Sequence, residues 1–177
     1  MHPIIYDVAV SLDGYIAGPN GDVTRFAHEG PVVEDYAQRM AGYRLAIMGR
    51  ATYEFAFQFG LKPGDDPYPA MRTLVFSQSL ALPETCDIEV FRKTDRDMLE
   101  QLKSDADGPI YLCGGGAFAG ALLEMDVIDS LRLKRAPILL GSGVRLFGEG
   151  SPGVTLVCRE TKDYPDGYVF QEFRVGS

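Results

Sequence analysis

The chain has 177 residues, 46% hydrophobic and 24% charged, enough for one domain spanning residues 1–177 with a core of its own. A net charge of −8 argues against nonspecific nucleic-acid binding, which rests on neutralising phosphates, and no apolar run approaches the ~20 residues of a membrane-spanning helix. Two histidines and three scattered cysteines, Cys86, Cys113 and Cys158, exclude a disulfide framework and leave no expected metal site.

Each cysteine is read as a buried or half-buried apolar residue. The N-terminus lacks a basic region before its apolar run and does not read as a secretion signal, so the cytoplasm is the expected location.

In chain order, IIYDVAV at 4–10 reads as a strand, followed by the turn-rich SLDGYIAGPNGDV. Residues 31–43 read as a helix with Pro31 in its first turn, 45–49 as a short buried strand and 51–59 as a second helix. Strands follow at 72–77 and 87–91, with a Pro/Gly/Asp loop at 61–69. TDRDMLEQLKS reads as a helix with Thr94 as its cap and Asp97 as a first-turn acid.

PIYLC at 109–113 is a strand, GAFAGALLEM a helix, and SLRLKRAPIL, VTLVCRETKD and YVFQEFRV are three closing strands. Alternating strands and helices followed by strands alone predict an α/β fold. It is a three-layer α-β-α arrangement whose central sheet is mostly parallel and ends in antiparallel strands.

CGGGAFAG at 113–120 fits the G-x-G-x-x-A dinucleotide fingerprint at Gly114, Gly116 and Ala119. That fingerprint normally follows the first strand and precedes an acid ~20 residues later. Here the turn lies deep in the strand order and is followed by Lys134 and Arg135, so the ordinary reading fails. A second strand-to-helix turn, Gly49-Arg50 before Thr52, offers close backbone approach, a guanidinium and a helix start, which suit a phosphate.

Taken in order, SLDGYIAG, MGRATYE, LVFSQSL, CGGGAF and APILLGSGVRLF resemble the dihydrofolate reductase superfamily, in particular the branch of the riboflavin-biosynthesis reductase C-terminal domain. The resemblance covers nearly the whole chain. It implies about eight strands, NADPH as hydride donor, a small-molecule substrate and a homodimer. It also places Ala9 and Ile16 at the nicotinamide, and Gly49, Arg50 and Thr52 at the pyrophosphate and adenosine, with Arg50 toward the ribose 2′-phosphate. Ser77, Gln78 and Ser79 would lie beside that phosphate, and Gly114, Gly115, Gly116, Ala117 and Phe118 would close over the pyrophosphate.

At the substrate end the family pattern breaks. The riboflavin-pathway branch usually has lysine four residues before the SLDG serine and glutamate before the glycine turn; this chain has Asp7 and Cys113. A folate reductase needs a carboxylate on the first helix, where spacing back from Gly49 falls on Val33 beside Glu34 and Asp35. Asp7 shares one face of its strand with Ile5, Ala9 and Ser11. It is read either as a ligand for a donor-rich heterocycle, as a proton donor with its pKa raised by burial, or as a structural carboxylate bonded to an arginine or backbone. Asp13 reads as a turn-shaping residue, and His28 as a solvated loop residue.

The expected activity is NADPH-dependent hydride transfer to a C=N or C=O carbon of a small pterin, folate or aminopyrimidine-like heterocycle. The alternative is a non-catalytic nucleotide-binding or redox-sensing module on the same fold.

Overall fold

The alternation of IIYDVAV is realised as β1 (Ile4–Val10), which turns Ile4, Tyr6 and Val10 into one core cluster and Ile5 into another. In the computed structural model, which describes residues 1–176, the chain continues through β2 (Tyr15–Ala17), α1 (Pro31–Met40), β3 (Leu45–Gly49) and α2 (Arg50–Phe55). It then forms β4 (Arg72–Phe76), β5 (Glu89–Phe91), α3 (Arg96–Asp105), β6 (Ile110–Gly114) and α4 (Gly116–Glu124). The closing elements are β7 (Ser130–Arg135), β8 (Val144–Arg145), β9 (Leu156–Asp163) and β10 (Val169–Val175).

Eight strands form one sheet in the order β5-β4-β3-β6-β1-β7-β10-β9. Pairings from β5 to β7 are parallel, and β10 runs antiparallel to both β7 and β9. Leu99 and Leu102 of α3 and Leu122 of α4 pack on the Ile4/Tyr6 face. Tyr53 of α2 and Val32 of α1 cover the opposite face. No helix among the described residues is long and apolar enough to cross a membrane.

Several boundaries differ from expectation for local reasons. The first strand after α4 stops at Arg135 rather than running to 139, because Pro137 has no N–H for the ladder. The helix expected over 51–59 closes as α2 followed by a 3-10 turn over Ala56–Phe59. β2 and β8 are too short to show a period, yet they pair with each other as a separate two-stranded sheet.

α3 is capped one residue later than read: Asp95, not Thr94, accepts the Met98 N–H at 2.9 Å. Asp95→Ala is expected to lower stability by about 1 kcal/mol in urea denaturation, the usual loss for an N-cap carboxylate.

Two cysteine expectations are corrected. Cys86 and Cys158 are exposed, one in a loop and one on the sheet's edge strand, whereas Cys113 is half-buried.

Candidate active site

The carboxyl ends of β1, β3 and β6 open into a cavity of about 1150 Å³, above the roughly 300–1,000 Å³ common for single small ligands. Ala9, Ile16, Gly49, Arg50, Thr52 and the run Gly114 to Phe118 all line it. The two glycine turns meet at their bases. A Cβ on Gly49 would lie 3.1 Å from the Phe118 Cβ, and one on Gly115 would lie 3.1 Å from the Thr52 Oγ1. Glycine here is what allows the β3–α2 and β6–α4 turns to touch.

Gly115 caps α4 without a side chain, so the first turn of that helix faces the cavity with no side-chain partner for its N–H groups. Such a turn beside Arg50 fits an anionic pyrophosphate. Gly116 has a different use. Its Cβ would stand 2.0 Å from the Arg145 carbonyl oxygen, because the chain from Arg145 of β8 to Gly148 lies directly on α4.

Arg50 sits at the rim, half-exposed, with Nε 2.8 Å from Glu54 Oε1 and an Nη donating to Ser79 Oγ at 2.8 Å. Ser79 therefore lies beside Arg50, and Ser77, Gln78 and Ser79 all stand outside the cavity lining. Ser77 Oγ instead accepts the N–H groups of Ser79 and Leu80.

The first-helix carboxylates are corrected. Val32, Val33 and Tyr36 of α1 line the cavity, and Glu34 and Asp35 do not, since each residue turns the helix about 100°. Glu34 is exposed, and Asp35 binds Lys162 and Tyr164 on the far side of α1. Asp13 shapes its turn as read, accepting from Ser11 Oγ, Leu140 N and Gly141 N, contacts that bring its pKa down to about 2. His28 is exposed but borders the cavity.

Asp7 is fully buried at the cavity floor, 1% exposed. Its Oδ2 accepts from Arg39 Nε at 3.0 Å and from Tyr43 Oη at 3.1 Å. Its Oδ1 accepts from Lys134 Nζ at 3.0 Å and from Arg39 Nη2 at 3.3 Å. The expectation of a raised pKa is therefore corrected. Burial pushes the carboxyl upward, but the Lys134 ammonium and Arg39 guanidinium outweigh it and hold the group below its ordinary value.

Lys134 is the functional candidate that sequence reasoning passed over. Leu131 and Leu133 of β7 join the core on the α3/α4 face, so Arg132 and Lys134 alternate onto the cavity face. That alternation of apolar and basic residues within an interior strand was the available signal.

Beside the floor, Tyr36 and Tyr111 share a hydroxyl–hydroxyl hydrogen bond at 2.7 Å, and Tyr68 meets Cys113 at 3.0 Å. Burial raises all three tyrosines and Cys113 above their ordinary pKa values, so these groups stay protonated and available as donors.

Sheet order, antiparallel end and a cleft over the carboxyl ends of the central strands define a dihydrofolate reductase-like fold. A family model for the RibD C-terminal domain matches residues 3–170, and the chain belongs to that family. Uncharacterized protein YwjB of Bacillus subtilis (strain 168) is 28% identical over 158 residues, 89% of each chain. A solved structure from Shewanella sp. PV-4, described as a candidate riboflavin biosynthesis protein, is similar over 100% of both chains with TM-score 0.82 and 24% identity. Dihydrofolate reductase from Enterococcus faecalis, complexed with NADP(H), is similar over 99% of this chain and 97% of its own, with TM-score 0.70 and 13% identity.

Proposed function

We propose that the protein is an NADPH-dependent reductase acting on a small heterocyclic substrate of the pterin, folate or aminopyrimidine-like kind. The observation that carries this reading is the single cavity in which two touching glycine turns, an uncapped helix start and Arg50 occupy one end and a charged, hydroxyl-lined floor the other. NADPH, when bound, would supply the hydride.

The chain's own residues would hold and orient the reactants. The N–H groups at the start of α4 would take the pyrophosphate, Arg50 the 2′-phosphate, and the backbone at Ala9 and Ile16 the nicotinamide carboxamide. Phe118, stacked on Phe76 at 5.2 Å between ring centroids, would hold the second turn in place. The apolar cavity walls would keep bulk water from the reacting carbon. The NADP(H) complex of the similar Enterococcus faecalis protein supports the cofactor choice.

Fluorescence titration of the whole protein tests the reading: NADPH binds more tightly than NADH, and absence of binding by either removes it. Arg50→Ala is expected to weaken NADPH roughly tenfold, the scale of one charged hydrogen-bonding group, while leaving NADH nearly unchanged. Equal losses for the two nucleotides would take the 2′-phosphate away from Arg50.

A further inference from the structure

The charged end of the cavity floor presents hydrogen-bond donors and no free carboxylate. Asp7 is the one buried carboxylate among the described residues, and the contacts from Arg39, Tyr43 and Lys134 occupy the roughly four acceptor positions that a carboxylate offers. It also faces two cations, which leaves the group with a surplus positive charge. Arg132, the next cation on β7, is already taken by Glu172 at 3.1 Å.

Lys134 carries that surplus to the cavity. Its Nζ lies 3.0 Å from Asp7 Oδ1 and 3.3 Å from the centroid of the Tyr36 ring. These contacts engage two sides of the ammonium, and its third N–H has no protein acceptor among the described residues. The neighbouring hydroxyls add to the donor set. Tyr36, Tyr111, Tyr68 and Cys113 are linked to one another beside Lys134, and each keeps a proton that can be donated within the cluster or to a ligand.

We propose that this end of the cavity receives the carbonyl edge of a planar substrate, with the carbonyl oxygen seated on Lys134 Nζ, and that Lys134 is the proton donor of the reaction. The proposal rests on the reductase reading above and narrows it from C=N or C=O to a C=O acceptor. Lys134 gives its proton to the oxygen as the carbonyl carbon takes hydride from the reduced nicotinamide. An alcohol, an oxidised nicotinamide and a neutral amine result, and solvent reprotonates the amine.

Position agrees with this role. Lys134 is the β7 partner of Ala9, so it projects beside the strand position assigned to the nicotinamide. Burial brings its pKa down to about 8 against the opposing pull of Asp7, so proton loss lies close to neutral pH. A diaminopteridine edge, which presents N–H groups, would set its donors against the Lys134 ammonium here.

The test uses the whole protein without nucleotide, titrated calorimetrically with isatin, a planar heterocycle with two adjacent carbonyls, and with 2,4-diaminopyrimidine. Isatin is expected to bind at least tenfold more tightly than the diamine. Lys134→Met should weaken isatin tenfold or more, and Lys134→Arg, which keeps a charged donor, should restore part of the loss. Lys134→Arg also serves if circular dichroism shows that the methionine variant does not fold.

Tighter binding of the diamine, no isatin binding, or isatin affinity unchanged in the Lys134 variants would overturn the proposal. NADPH titration of the same samples separates the two readings. Nucleotide binding without Lys134-dependent isatin binding removes the proposal and leaves the reductase. The reverse result removes the reductase and with it the proton-donor role, and leaves Lys134 as a carbonyl-binding group.

Discussion

Asp7→Ala is expected to destabilise the protein by about 3–5 kcal/mol, the range for removing one partner of a buried ion pair and leaving charge uncompensated. Arg39 and Lys134, with side chains 17% and 9% exposed, would both lose the carboxylate that holds them. Urea denaturation at neutral pH measures the loss. A change below 1 kcal/mol would show that Arg39 and Lys134 find other partners.

The sign of the pH dependence follows from the same contacts. A carboxyl held below its ordinary value of 3.8 adds stability that is fully present above that value. The contribution disappears as the pH falls through the folded-state pKa, where both states are protonated. As the pH falls from 7, the stability gap between wild type and Asp7→Asn should therefore begin to narrow only in acid below about pH 4. A gap that already narrows between pH 7 and 5 would mean that Asp7 has the raised pKa of a proton donor.

Gly116→Ala should lower stability by about 3 kcal/mol, the upper part of the range for overpacking. The new methyl group would meet the Arg145 carbonyl oxygen at 2.0 Å and the Gly148 N at 2.8 Å, both backbone atoms that cannot rotate away. Gly115→Ala would meet the Thr52 hydroxyl at 3.1 Å, a side chain that can yield, and should cost less. Thermal unfolding of the two variants makes the comparison. Equal losses would mean that the backbone from Arg145 to Gly148 shifts to accommodate the methyl group.

The layered fold and the two glycine turns that meet in the cavity were legible because each depends on local pattern. Alternation in β1 and glycine after β3 and β6 place residues relative to their own elements. What was hidden depends on partners far away in the chain. Asp7 could be assigned to a face of β1, but its charge state is set by Arg39 from α1 and Lys134 from β7. Spacing brought Glu34 and Asp35 next to the expected carboxylate position, yet helical rotation turned both out of the cleft and left Val33 in it.

The segment from β8 to Gly148 has a consequence for how ligand binding and folding are joined. Tyr6 donates its hydroxyl to the Leu146 carbonyl at 3.1 Å, the Tyr6 and Phe147 rings meet at 5.7 Å, and Gly116 receives the backbone of Arg145. Val8 and Ala9 of the first strand, the glycine turns from the middle of the chain and Val144 of β8 line one cavity, and no single stretch contains it. A ligand that spans it binds the folded chain and not the unfolded one, raising the unfolding midpoint with concentration. Thermal stability becomes a chemical reporter: at equal concentration, the compound that raises the midpoint most, in a screen blind to turnover, is the one that binds the folded cavity most tightly.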